Sequence, residues 1–214
     1  MFAPLHYEPN YAYPLIVWLH SAGNYETQLN DVMPHVSLRN YVAVAARGTV
    51  AEDRGCDWSQ SDLQIRRAER RVFKCLEVAK RRYHVAEPRI FLAGLESGGT
   101  MALRIGLRNP SLFAGAISIG GEFPRDGAPL SKLDDARRLP LLLTSSKEST
   151  LYPESAVCED LRLFHSAGMK VMVRQYPGED GVTDLMLADM DRWIMEAVTR
   201  PAEHDDVAVG TQAF

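Results

Sequence analysis

A carboxylate and a hydroxyl, Glu96 and Ser97, stand side by side in a segment whose glycine spacing is typical of a sharp turn. An apolar, strand-like stretch precedes them and a stretch with helical spacing follows. Gly94 and Gly98 lie two residues before and two residues after Glu96, and the missing Cβ at each lets a strand and a helix approach closely. A side chain held at the apex of such a turn is exposed and fixed, as nucleophilic catalysis requires. The spacing therefore points to Glu96 or Ser97 as the residue that could do chemistry.

Two registers of this turn are open. If Ser97 occupies the apex, Gly99 follows two places later, but Leu95 then stands two places before it and crowds the helix. The small flanking residues favour Glu96, with a positive or otherwise strained φ. A carboxylate in this position also faces the unpaired N–H groups of the helix N-terminus, so we expect Glu96 to be a permanent anion where an oxyanion would bind.

Residues 89–102 resemble the nucleophile elbow of an α/β-hydrolase, and the chain from about residue 12 to 199 is similar to the phospholipase/carboxylesterase family of small serine esterases. Residues 14–23 are similar to the strand and HGxG loop of that family, with Ser21 in place of its first glycine. Residues 140–149 resemble the strand and loop that carry the acid, and residues 176–181 resemble the family's YPGxGH segment.

The resemblance implies a catalytic triad whose positions hold unsuitable residues. Glu96 stands at the nucleophile position and Ser149 at the acid position, while Asp180 or Gly181 stands where the histidine is expected. The oxyanion donors would be the backbone N–H groups of Ala22 and Ser97. These substitutions imply a scaffold that has lost serine-esterase activity and has kept a role in binding or assembly.

An active hydrolase on carboxylic-ester or related small substrates remains the alternative, with Ser97 or Glu96 as nucleophile. Serine attack needs a base within hydrogen-bond reach, and a glutamyl ester intermediate needs a histidine to activate water. Downstream of the turn the chain offers only His165, in a predicted helix, and His204, in the predicted tail. His20 follows the first strand, but in the resembled family it supports the loop. No substitute triad is visible.

Carboxylates offer a second kind of chemistry near the same turn. Glu96, Glu148, Glu179 and Asp180 would all lie at the carboxyl ends of strands, where clustered carboxylates can bind hard cations. Exposed loop positions account for the last three more simply, so the sequence predicts no metal and no cofactor. His20 and Trp58 are candidates for lining a pocket, with plain packing as the alternative for Trp58.

The surrounding elements predict an α/β fold: a doubly wound, mostly parallel sheet with helices on both faces, similar to α/β-hydrolases, with its N-terminal edge strands reduced or missing. Apolar runs predict strands at 15–20, 42–46, 90–95, 115–119, 141–144 and 171–176. Helical spacing predicts helices at 61–83, 98–108, 155–167 and 183–198, and a weaker one at 27–38. Residues 1–199 are expected to form one domain and residues 200–214 a mobile tail.

The charge composition limits the kinds of partner that the chain could bind. With 24 Lys and Arg against 28 Asp and Glu, the net charge of −4 gives no attraction toward nucleic acid or anionic lipid. The basic residues between positions 61 and 83 alternate with apolar residues at helical spacing and are expected to form a solvated face. No membrane span or signal peptide is visible, and three scattered cysteines predict a reducing cytoplasm. We expect a small-molecule or protein ligand, and a homo-oligomer is compatible with the sequence.

Overall fold

The structure, a computed structural model, describes residues 1–199. The predicted tail, with His204, lies outside the described residues. Eight strands and six α-helices follow one another in this order: β1 (Tyr13–Leu19), α1 (Leu29–Val36), β2 (Val42–Ala46), β3 (Val50–Ala51), β4 (Cys56–Asp57), α2 (Asp62–Arg82), β5 (Val85–Leu95), α3 (Ser97–Arg108), β6 (Gly115–Ile119), α4 (Leu133–Ala136), β7 (Leu141–Ser146), α5 (Glu154–Ala167), β8 (Val171–Tyr176) and α6 (Asp184–Thr199). Short 3₁₀ turns cover Glu26–Gln28 and Pro110–Leu112.

Six of the strands form one parallel sheet in the order β2-β1-β5-β6-β7-β8, which is the predicted doubly wound architecture. In the described chain, N-terminal pairing beyond β2 is reduced to one antiparallel bridge between Phe2 and Ala43. A two-stranded antiparallel pair, β3 and β4, was not predicted, because two-residue strands leave no periodic signal.

Alternate residues of the central strands feed two apolar cores, one on each face of the sheet. In β1, Leu15, Val17 and Leu19 face the core covered by α2, α3 and α5. Ile16 and Trp18 face the core covered by α1 and α6. Both faces are buried because helices cover each of them, which explains why the strand sequences are apolar throughout.

The basic surface of α2 is a solvated helix face, as predicted. Its apolar residues Ile65, Ala68, Val72, Leu76 and Ala79 are buried. The Arg and Lys side chains of this helix lie on the outside, and several make local pairs, such as Arg81 with Glu77 at 3.3 Å. Of the helices described, none combines the length and the apolar character that crossing a bilayer requires.

Candidate functional site

The turn between β5 and α3 has its apex at Glu96. The backbone of Glu96 has φ 53° and ψ −120°, while Ser97 is already the first residue of α3. The Glu96 N–H donates to the carbonyl of Ile119 at 2.7 Å, which fixes the turn against the end of β6. A non-glycine residue in this region of φ and ψ costs about 1–3 kcal/mol and persists only where the surroundings enforce it. The register with Glu96 at the apex is therefore the observed one.

Glycines make the close approach around this apex feasible. A Cβ on Gly98 would lie 2.3 Å from the carbonyl oxygens of Leu19 and His20, and one on Gly94 would lie 2.4 Å from the Gly98 carbonyl. A Cβ on Gly121 would lie 2.2 Å from the Glu96 carbonyl. Carbon atoms do not pack this tightly against backbone, so the turn requires glycine at these positions.

A cleft of about 420 Å³ opens beside the apex, at the carboxyl ends of the strands. Its walls come from the loop after β1, from the first half of α3 and from the loop after β6. Glu96, Ser97, Thr100 and Arg104 line it along α3, and Ala22 faces them from the loop after β1. This is the position that ligands occupy in parallel α/β sheets, so the cleft is the candidate functional site.

The charge of Glu96 is destabilised in this cleft. Burial raises the pKa of its carboxyl, and the negative charges of Asp180 and Asp57 raise it further. The side chain makes no capping hydrogen bond to the first turn of α3. Burial and like charges thus act on the Glu96 carboxyl in the opposite direction to the helix dipole, and that Glu96 is a permanent anion at an oxyanion position stays a prediction.

Ser97 has a partner that the sequence analysis did not identify. Its hydroxyl donates to Oδ1 of Asp57 at 2.6 Å. Asp57 belongs to β4, forty residues earlier in the chain, next to Cys56, whose N–H donates to the carbonyl of Asn24 in the loop after β1 at 2.8 Å. In the Cys56-Asp57-Trp58 segment, the sequence analysis considered only Trp58, as a candidate for lining a pocket.

Ser149 and Asp180, which the sequence resemblance would place at the acid and base positions, lie in direct contact. The Ser149 hydroxyl donates to Oδ1 of Asp180, and the N–H and hydroxyl of Thr150 donate to Oδ2 at 2.9 and 2.7 Å. Gly181 has φ 126° and open space around its Cα. Of the two residues considered for the base position, Asp180 is the one whose side chain contacts Ser149.

His20 and Trp58 were candidates for lining a pocket, but neither is among the residues that line the cleft. His20 is completely buried and Trp58 is 2% exposed. The Trp58 indole donates to the His20 carbonyl at 2.8 Å. The His20 ring contacts the Ser21 carbonyl through Nδ1 at 2.7 Å and accepts the Gly48 N–H at Nε2 at 2.8 Å. Both side chains therefore support the loop after β1.

The same loop is held by Gln28, which the sequence analysis did not identify. Its amide contacts Ser21 twice, at the N–H (3.2 Å) and at the hydroxyl (3.0 Å), and accepts the Trp18 indole N–H at 3.0 Å. Ser21, the residue in place of glycine, is therefore buried and tied down, while Ala22 stays exposed in the cleft.

A buried carboxylate, Asp160 of α5, anchors the loop after β6. It accepts the Phe123 N–H at 3.2 Å and the Tyr152 hydroxyl at 2.8 Å, and Arg125 lies 2.7 Å from its other oxygen. Burial raises the pKa of Asp160 even though these donors oppose the shift. The network fixes the wall of the cleft that faces α3.

Arg104 is another residue that the sequence analysis did not identify, and it lines the cleft. It is 2% exposed and lies in the otherwise apolar run Met101–Leu107 of α3. A single charge in an apolar helical stretch, eight residues after Glu96, was the available signal. Glu148 and Glu179 are exposed loop residues, and within residues 1–199 no three His, Cys, Asp or Glu side chains cluster as metal ligands would.

The described fold is similar to solved structures of esterases. The carboxylesterase from Mesorhizobium loti is 20% identical over 85% of this chain and 88% of its own, with a TM-score of 0.72. The Bacillus cereus carboxylesterase is 16% identical over 90% and 92%, with a TM-score of 0.73. Arabidopsis thaliana SOBER1 is 18% identical over 87% and 100%, with a TM-score of 0.72. The sequence matches no protein-family model and no curated protein. At these identities the similarity shows the α/β-hydrolase fold.

Proposed function

We propose that this chain uses an α/β-hydrolase scaffold, similar to phospholipase/carboxylesterases, to bind a small-molecule or protein ligand without hydrolysing it as a serine esterase. The observation that carries the proposal is the placement of the histidines. Among residues 1–199 no histidine lines the cleft. His20, at the end of β1, has both ring nitrogens engaged, and burial lowers its pKa. In the described part of the chain, the Ser97 hydroxyl and the Glu96 carboxylate therefore have no imidazole in the cleft that could act as a base.

The alternative is an active hydrolase, and the Ser97–Asp57 hydrogen bond favours it. A carboxylate 2.6 Å from a hydroxyl could accept its proton during attack. A carboxylate is in general a much weaker base than an imidazole, so this pair is a poor substitute for a serine and histidine. Glu96 as nucleophile faces a second obstacle, because burial and like charges raise its pKa and disfavour the ionised form that attacks.

A fluorophosphonate probe separates the two functions, because covalent labelling requires an activated nucleophile. We expect no labelling of the wild-type chain and no hydrolysis of p-nitrophenyl acetate above the buffer rate. The Ser97→Ala variant is the matched control, since it removes the hydroxyl of the residue that directly follows the apex. Wild-type turnover that survives Glu96→Gln and vanishes in Ser97→Ala would overturn the non-catalytic proposal.

The compartment and the assembly state are part of this proposal. Cys56, Cys75 and Cys158 are unpaired thiols, which supports a reducing cytoplasm. A homo-oligomer remains compatible with a role in assembly. Sedimentation of the purified full chain at several concentrations would measure the oligomeric state directly.

A further inference from the structure

One face of α3 forms the floor of the cleft. Glu96, Thr100 and Arg104 are spaced four residues apart and all line the cavity. Thr100 and Arg104 lie above one another on α3, and Glu96 stands directly before the helix, where its carbonyl accepts the Thr100 N–H at 3.0 Å. The floor therefore carries an acidic group at one end and a basic group at the other. With a rise of about 1.5 Å per residue, the backbones of Glu96 and Arg104 are separated by about 12 Å along the helix axis.

Arg104 is a buried cation without a carboxylate partner. Its Nε donates to Oε1 of Gln60 at 2.6 Å, and its Nη1 donates to the carbonyl of Asp126. Neither acceptor is charged. Asp126 and Asp62 are near enough to favour the charged form, but among residues 1–199 no carboxylate oxygen lies within 4.0 Å of the guanidinium. Burying a charge without a counterion is costly, and about three of the five N–H donors remain for an anionic group.

The second cation of the cleft is already neutralised. Arg125 lies 2.7 Å from Asp160 and 3.3 Å from Glu159. Arg104 is therefore the guanidinium that a ligand anion would meet. An anion at Arg104 would receive a planar fork of N–H groups, which suits a carboxylate.

Glu96 presents the opposite situation. In the part of the chain that the structure describes, its carboxylate makes no hydrogen bond and no ion pair, and its charged neighbours are Asp57 and Asp180. A positively charged group at the apex would relieve this repulsion. A neutral ester would leave both Glu96 and Arg104 uncompensated.

We propose that the cleft binds a linear zwitterion, with its ammonium group at Glu96 and its carboxylate at Arg104. The inference rests on the proposed binding function and names its ligand class. An extended tripeptide spans about 10 Å, close to the roughly 12 Å between the backbones of Glu96 and Arg104, and a cavity of about 420 Å³ holds a ligand of this size. A single α-amino acid is too short to reach both groups.

Triglycine, titrated into the full chain by calorimetry, is the probe. N-acetyl-triglycine lacks the ammonium, triglycine amide lacks the carboxylate, and glycine is too short. We expect triglycine to bind and each of the three controls to bind at least about tenfold more weakly, since a charge-assisted contact is lost. Equal binding of the capped and uncapped peptides, or no binding of triglycine at millimolar concentration, overturns the proposal without reliance on any variant.

Two variants test the orientation. Glu96→Gln should weaken triglycine about tenfold and leave N-acetyl-triglycine unchanged. Glu148→Gln, which neutralises an exposed carboxylate that does not line the cleft, is the matched control and should leave both peptides unchanged. Equal loss of affinity in Glu148→Gln and Glu96→Gln would overturn the assignment of Glu96.

The same samples keep this inference distinct from the proposed function. If triglycine fails to bind and the chain also resists the fluorophosphonate, the ligand class is wrong while the non-catalytic proposal stands. If triglycine binds and is cleaved, the non-catalytic proposal is wrong while the ligand class stands.

Discussion

The Ser149 hydroxyl donates a hydrogen bond to the Asp180 carboxylate and so joins the loops that follow β7 and β8. In a working hydrolase triad, the residue at the acid position accepts a hydrogen bond from the base. The sequence resemblance would place the acid at Ser149 and the base at Asp180, and on that alignment donor and acceptor are exchanged here. The contact itself links two loops through a carboxylate.

Replacing Asp180 by Asn should lower stability in a pH-dependent way. Although partial burial opposes its ionisation, hydrogen bonds from Ser149, Thr150 and Leu151 lower the pKa of Asp180 to about 2. A depressed folded-state pKa stabilises the fold above the unfolded value of about 4, and this contribution is lost as pH falls toward 2. Urea unfolding at pH 7, 4 and 2.5 should show a gap between wild type and Asp180→Asn that closes with acid.

Glu179→Gln is the control for that series, because Glu179 is the exposed neighbour of Asp180. We expect its unfolding free energy to match the wild type at each pH. A gap for Asp180→Asn that stays constant from pH 7 to 2.5 would contradict the role of the Asp180 charge.

Glu96→Gln should have the opposite effect and stabilise the protein at neutral pH. Burial and the charges of Asp180 and Asp57 raise the pKa of Glu96, so its ionisation opposes folding. This cost is absent below the unfolded pKa and grows as pH rises toward the folded pKa. Thermal unfolding should give the variant a higher Tm than wild type at pH 7 and a similar Tm at pH 4. An equal or lower Tm at pH 7 would contradict the electrostatic argument.

The glycines at the apex could be assigned from the sequence because their spacing around Glu96 is a local pattern. Gly94 packs against Gly98, four residues later, and the succession of strands follows from apolar runs, although Gly98 itself packs against the distant Leu19 and His20. The parallel sheet with helices on both faces and the apex at Glu96 follow from these signals, whereas the order of the strands does not.

Contacts between distant segments could not be assigned in this way. Asp57 reaches Ser97 through a two-residue strand, and Arg104 becomes a cleft residue only when the loop after β6 folds over α3. The direction of the pKa shift at Glu96 also depends on Asp57 and Asp180, which converge from segments on either side of it in the chain. The helix dipole alone would lower the pKa of Glu96, so position in the sequence does not reveal the contribution of these distant charges.

Alanine substitutions at Gly98 and Gly178 distinguish the cost of steric crowding from the cost of backbone strain. A Cβ on Gly98 would lie 2.3 Å from two backbone oxygens, whereas Gly178 has φ 106° and open space. We expect Gly98→Ala to lose about 3 kcal/mol or more, since backbone must move, and Gly178→Ala to lose about 1 kcal/mol from conformation alone. Urea unfolding measures both, and equal losses would contradict the close approach of α3 to β1.

Rebuilding the triad should require all three positions. Glu96→Ser alone supplies a hydroxyl without a base, so its hydrolysis of p-nitrophenyl acetate should stay near background. Adding Ser149→Asp and Asp180→His places a carboxylate and an imidazole where two contacting side chains already lie. Because triad residues act as a unit, the triple variant should exceed the single variant by about a hundredfold or more.

The triple variant carrying Ser97→Ala in addition is the control for this repair. It should retain the gained activity, since the new hydroxyl at position 96 and not Ser97 is the expected nucleophile. The gain will also depend on the backbone N–H of Ala22, an oxyanion donor whose misplacement costs about a hundredfold or more. Hydrolysis by Glu96→Ser alone at the rate of the triple variant would contradict the prediction, because it would reveal a base in the cleft other than an imidazole at position 180.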